Sequence, residues 1–153
     1  MSRAFIREQD AETFESLPDR PVSDQPNDVT PEGMVQIEAR IKAEQEAFAK
    51  AQVSDDRIAM ATASRELRYW NSRRATARVI PASNGEEVRF GNTVTIARDD
   101  SRQQTFRIVG EDEADPSNGT ISHVSPLARA LFGKRIGDVG KLAGRDIKVL
   151  SIT

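Results

Sequence analysis

The chain has 153 residues, enough for one ordinary domain or two small ones. An apolar fraction of 37%, with one Trp, one Tyr and six Phe, argues against a single large core and for a small core with an elongated element. Charged residues make up 30% but the net charge is only −2, so total charge demands no nucleic acid, and the absence of cysteine excludes a disulfide scaffold, a thiolate metal site and a Cys nucleophile. No apolar run approaches the roughly 18 residues of a membrane span, and no basic-then-apolar leader opens the chain. A cytoplasmic protein is expected.

Residues 1–29 carry seven acids and three bases, with Pro18, Pro21 and Pro26 and little periodicity. That composition predicts a flexible acidic tail. Ala4, Phe5 and Ile6 form a small apolar knot within it.

Thr30-Pro31-Glu32-Gly33 is a helix start. Thr30 can cap, and Pro31 occupies the first helical position, where a missing N–H costs nothing. Met34, Ile37, Ile41, Glu44, Phe48 and Ala51 then follow at heptad spacing. Val53-Ser54-Asp55-Asp56 interrupts the helix, and Ser54 or Asp55 can cap a second one. Met60, Ala63, Leu67, Trp70, Arg74 and Ala77 repeat the same spacing. Two seams of matching length joined by a short turn predict an antiparallel helical hairpin over 30–80. Its second arm is basic, with six arginines and one Glu in residues 57–78. Each arginine taken singly reads as part of a solvated face.

Pro81-Ala82-Ser83-Asn84-Gly85 reads as a linker into a small sheet domain, residues 81–153. Strands are predicted at 88–90, 93–97, 105–109, 120–124 and 147–152. Ser125-Pro126 starts a short helix that Gly133 ends. The fold class is α+β: a helical hairpin followed by a small antiparallel sheet with one short helix. The run Glu111, Asp112, Glu113 and Asp115 reads by itself as a solvated acidic turn. His123, the single histidine, reads as a packing residue.

Two C-terminal segments are more specific: FRIVGEDEAD, Phe106 to Asp115, and SPLARALFGKRIGD, Ser125 to Asp138. With Thr30-Pro31-Glu32-Gly33, Ala77-Arg78-Val79-Ile80 and Phe90-Gly91, they make residues 30–153 resemble the bacterial Gre family of transcription elongation factors. The resemblance implies an FKBP-like sheet domain that grips the rim of the RNA polymerase secondary channel. The gripping loop falls on Ser125, Pro126 and Leu127. It further implies a hairpin directed down the channel, with tip carboxylates helping to hold a Mg²⁺ at the polymerase active centre. The factor is then an accessory without a cofactor of its own, a monomer in only indirect contact with nucleic acid. Any RNA cleavage belongs to the polymerase.

The tip departs from the family pattern. The D-x-x-E-N-A-x-Y segment is absent, and around the turn, Ser54, Asp55 and Asp56, only Asp55 and Asp56 can supply metal ligands. The turn also arrives about a heptad early, a loss of roughly 10 Å of reach. Magnesium ligands sit at about 2.0–2.1 Å, so rotamers cannot absorb that shortfall. The resemblance therefore supports docking, and cleavage does not follow from it. A binding-only regulator of the same channel is the alternative. A prolyl isomerase is remoter, because residues 82–153 offer only Phe90, Phe106 and Phe132 to line a pocket, all at core positions.

Overall fold

The computed structural model describes residues 17–153, which fall into two compact units. One holds residues 17–24 and 35–76, the other residues 25–34 and 77–153. The Ala4-Phe5-Ile6 knot lies outside the described residues.

The helical unit is built on α1 (Pro31–Val53) and α2 (Arg57–Thr76). At 23 and 20 residues these run roughly 35 and 30 Å at about 1.5 Å per residue. The predicted seam of α1 is its inner face: Ile37, Ile41 and Ala51 are buried, and Met34, Glu44 and Phe48 are half-buried. In α2, Ala63 and Trp70 are buried and Leu67 half-buried, as the heptads require. The seam then changes phase. Arg74 is exposed and Arg73, three residues after Trp70, is buried. With 3.6 residues per turn, positions three and four ahead flank the same stripe, and the closer one is taken here.

The expectation of one flexible tail over 1–29 gives way at residues 17–29. Residues 17–24 pack with the helical unit, through Asp19 and Arg20 on α2. Asp28–Val29 forms β1, which pairs in parallel with β2 (Arg78–Val79). The Arg78 N–H donates to Asn27 O and the Ile80 N–H to Val29 O, each at 2.9 Å, and Arg78 Nη2 pairs with Asp28 Oδ1 at 2.6 Å. Composition predicts solvation here, but Val29 is 1% exposed and Asn27 6%. The segment preceding α1 is thus stitched to the segment following α2.

The rest of the second unit is a five-stranded sheet in the order β5-β4-β3-β7-β6. Its strands are β3 (Thr93–Arg98), β4 (Gln103–Val109), β5 (Thr120–Ser122), β6 (Val139–Leu142) and β7 (Arg145–Ile152). The pairings are antiparallel except β4 with β5, so the sheet is mixed rather than wholly antiparallel. The ten-residue crossover through the acidic loop and the turn at Pro116–Asn118 permits that parallel edge. Strand β6 is absent from the sequence reading. It is closed onto β7 by Ala143 and Gly144, both with positive φ, a turn that Gly144 favours. The predicted strand at 88–90 is not one. Val88 exchanges backbone bonds with Gly133 and Lys134 after the short helix α3 (Pro126–Leu131), and no ladder extends from them. Val88, Val94, Ile96, Phe106, Ile108, Leu131, Ile147 and Val149 make the core. Asn92, fully buried, pins three segments: its Oδ1 accepts from the Arg89 N–H and the Ser83 hydroxyl, and its Nδ2 donates to Thr153 O.

Candidate functional site

The segment Ser125–Leu127, which the sequence resemblance singles out, is set by the start of α3. Ser125 is extended (φ −65°, ψ 151°) and its Oγ accepts from the Ala128 N–H at 3.2 Å, an N-cap, with Pro126 at the first helical position. A hydroxyl that accepts there still carries a proton to donate outward. Pro126 is exposed, and Leu127 is half-buried against the core. Leu127 also lines an open groove of about 360 Å³ with Phe106, Pro116 and Ile121. The three predicted residues therefore present a rigid polar and apolar edge on one short helix.

The acidic loop before β5 is not a plain solvated turn. Asp115 accepts from the Ser117 N–H and hydroxyl and from Asn118 Nδ2, and these bonds hold its carboxyl below the usual range. Glu113 is turned inward. Its Oε2 accepts from the Thr30 N–H at 2.9 Å and the Gly110 N–H at 3.0 Å, and its Oε1 accepts from the Thr30 hydroxyl. Thr30 Oγ1 accepts in turn from the Gly33 N–H at 3.0 Å, the cap expected from the sequence. One carboxylate thus satisfies three donors, two of them at the root of α1.

The glycines on either side are closely packed as well, Gly33 by the same group and Gly110 first by the Asp28 carbonyl. A Cβ on Gly33 would lie 2.1 Å from the Glu113 carboxyl carbon, and one on Gly110 would lie 2.5 Å from Asp28 O. Both distances are inside van der Waals contact, so neither site admits a side chain without displacement. Beside them Glu32, also at the helix start, pairs with Arg107 at 3.4 Å. The bond to its own backbone N–H, then the Arg107 charge, lowers its carboxyl. Sequence reasoning missed Glu113. The available signal was a glycine in the first turn of a helix, where it costs stability without a reason.

At the hairpin tip the cap is Asp56, in place of Ser54 or Asp55. Its Oδ1 accepts from the Ala59 N–H at 3.1 Å. Asp55 sits at φ 50°, with its N–H on Gln52 O while the Asp56 N–H reaches Ala51 O. These two bonds form a Schellman ending, here carried by an Asp where glycine is usual. The sequence assigned the cap one or two residues early because α1 runs on to Val53. Ser54, Asp55 and Asp56 are all exposed. Among the described residues no group of three or more His, Cys, Asp or Glu side chains could hold a metal ion. The tip carboxylates do not by themselves fit a Mg²⁺ site, which takes near-octahedral oxygen coordination.

His123 packs edge-on against Phe90, with ring centroids 5.5 Å apart. Burial lowers its pKa, against the opposing pull of Asp28 and Glu111. It serves packing, as its place after β5 implies.

Comparison with known proteins bears on one of these regions. Residues 82–153 match the family model described as transcription elongation factor, GreA/GreB, C-terminal. Transcription elongation factor GreA of Hyphomonas neptunium is 56% identical over 72 residues, 45% of this chain and 46% of that protein. GreA of Maricaulis maris is 45% identical over 71 residues, 44% of this chain and 45% of that protein. The match thus spans about half the length of these curated relatives. Among solved structures, GreA factor homolog 1 (Gfh1) of Thermus thermophilus is 18% identical, covering 84% of this chain and 99% of that one, with a TM-score of 0.41. No helix among the described residues is long and apolar enough to cross a membrane.

Proposed function

We propose that this protein, whose residues 82–153 match the GreA/GreB C-terminal family model, binds RNA polymerase at the rim of the secondary channel and thereby regulates elongation. The observation that carries the reading is the Ser125–Leu127 edge, in a domain that matches the family from residue 82 to residue 153. Ser125 offers a hydroxyl, Pro126 a fixed and exposed surface, and Leu127 an apolar wall beside a groove. Their backbone is locked by the cap, so little ordering entropy opposes docking. The factor acts as an accessory: it positions itself, and chemistry belongs to the polymerase.

A second reading has its own observation. The Asp56 carboxylate is engaged in capping α2, and no third acid joins Asp55 and Asp56 at the tip. A factor built so occupies the channel and regulates without stimulating RNA cleavage. Stalled elongation complexes separate the two readings. The binding-only form predicts no added cleavage and competition against a cleaving factor. Stimulated cleavage that is lost in Asp55→Ala/Asp56→Ala would overturn it. The parent proposal is tested by native-gel binding to core polymerase, and absence of a complex with folded protein would defeat it.

A further inference from the structure

Residues 17–20 lie on α2 through a set of mutually consistent contacts. The Arg20 guanidinium carbon stands 3.8 Å from the Tyr69 ring centroid and 5.8 Å from that of Trp70. Arg20 Nη1 pairs with Glu66 Oε2 at 2.6 Å. Asp19 Oδ1 accepts from Arg68 Nε at 2.5 Å, and Leu17 O accepts from Arg68 Nη2 at 3.1 Å. The Ser64 hydroxyl, one turn earlier, accepts from Arg68 Nη1 at 3.3 Å and helps hold that side chain. The face of α2 therefore offers an acid, an aromatic ring and an arginine in one cluster. Asp19-Arg20 meets all three with complementary groups.

Several features mark this segment as a displaceable occupant rather than part of a core. It has no regular secondary structure and joins no sheet. Its two ion pairs are partly open to water, with side-chain exposures of 38% and 20% for Arg20–Glu66 and 45% and 72% for Arg68–Asp19. Pairs of that kind are weak and weaken further in salt. Their strength here comes from tethering, since a short link holds the segment at an effective concentration of about 1 mM.

We propose that the Glu66, Arg68 and Tyr69 face of α2 is a protein-recognition site for an arginine flanked by an acid, and that Asp19-Arg20 occupies it in cis as a built-in competitor. A partner protein presenting the same pair reaches this face by displacing the strap. The site needs neither the docking loop nor the tip, so it stands or falls independently of polymerase binding.

The single tryptophan, 9% exposed, lies in the helical seam with the Arg20 and Arg40 guanidinium carbons each 5.8 Å from its ring, so removing the strap uncovers one of its two flanking cations. In the full chain, Arg20→Glu should raise acrylamide quenching of Trp70 about twofold, and Arg20→Glu/Glu66→Arg should restore the wild-type value. A labelled peptide of residues 15–26 should bind the Arg20→Glu chain roughly tenfold more tightly than wild type, the factor for a site of about 100 μM affinity freed from a 1 mM internal competitor. A peptide carrying Arg20→Ala should bind neither. Unchanged quenching, or equal peptide affinity for both chains, would overturn the proposal. So would a concentration-dependent dimer that accounts for the tryptophan signal, since the occupant would then be a second copy.

Discussion

Helix α1 is capped by Thr30, whose hydroxyl and N–H both bond to Glu113 83 residues away, and is followed by Ser54–Asp56, where every backbone bond is to a near neighbour. The root is buried and depends on distant parts of the chain: Thr30 is 0% exposed, and Gly33 and Gly110 are shaped around one carboxylate. The tip is exposed and self-sufficient. A half-buried acceptor serving three donors, two of them on fully buried Thr30, cannot be removed without leaving orphans, whereas an exposed cap can hand its partners to water. Substitutions at the tip should therefore cost less than those at the root.

The largest effect should come from breaking the root by volume. Gly110→Ala forces a methyl against Asp28 O, and Gly33→Ala forces one against the Glu113 carboxyl. Gly110→Ala should cost about 3 kcal/mol by urea denaturation, the upper range for overpacking, and Gly33→Ala less, because the Glu113 carboxyl is the movable end of a side chain and alanine favours the helix by about 1 kcal/mol. A loss below about 1 kcal/mol in both would show that the clamp gives way freely. Glu113→Ala removes the acceptor instead, leaving the Thr30 and Gly110 N–H groups unbonded. A loss of about 2–3 kcal/mol is expected, and Glu113→Gln, which keeps one carbonyl oxygen, should lose less.

At the tip the same measurement should return smaller numbers. Asp56→Ala removes one cap and should cost about 1 kcal/mol. Asp55→Gly should instead stabilise, by up to about 1 kcal/mol, because glycine adopts the left-handed φ of 50° without penalty. If tip substitutions cost as much as root substitutions, the contrast between the two ends is wrong.

The smallest effect is on pH. Burial holds the His123 pKa below its ordinary value, so the native state favours the neutral ring. The stability this contributes is present above about pH 6.5 and is lost as pH falls toward the native pKa. Wild type should lose stability more steeply than His123→Gln between about pH 6.5 and 5. Equal slopes would remove His123 from the account.

How much of this was legible in the sequence follows the same division. Local signals were readable: the Thr30 and Ser125 caps and the α1 seam lie where their chemistry acts, whereas the cap that ends α3 is Phe132 and Gly133 is the positive-φ residue of the turn after it. At the tip the error was one or two residues, because Asp55 adopts a conformation usually read from glycine. Long-range pairings were not readable. Nothing near residues 28–29 announces a strand partner at 78–79, and nothing near Glu113 announces Thr30. Ser125, Pro126 and Leu127 were singled out through family likeness and not through any local signal; in the structure they form a locked cap, an exposed proline and a leucine on a groove.

The central claim is that the edge at Ser125–Leu127 binds RNA polymerase. Pro126→Glu tests it most directly, since an acid at the first helical position suits the helix dipole and should leave the fold intact. The measurement is the affinity of wild-type and Pro126→Glu chains for core polymerase, alongside their melting temperatures. The account predicts binding by wild type and at least about tenfold weaker binding by Pro126→Glu at unchanged melting, a difference of about 1.4 kcal/mol. Equal affinity of the two chains, or no binding by folded wild type, would contradict it.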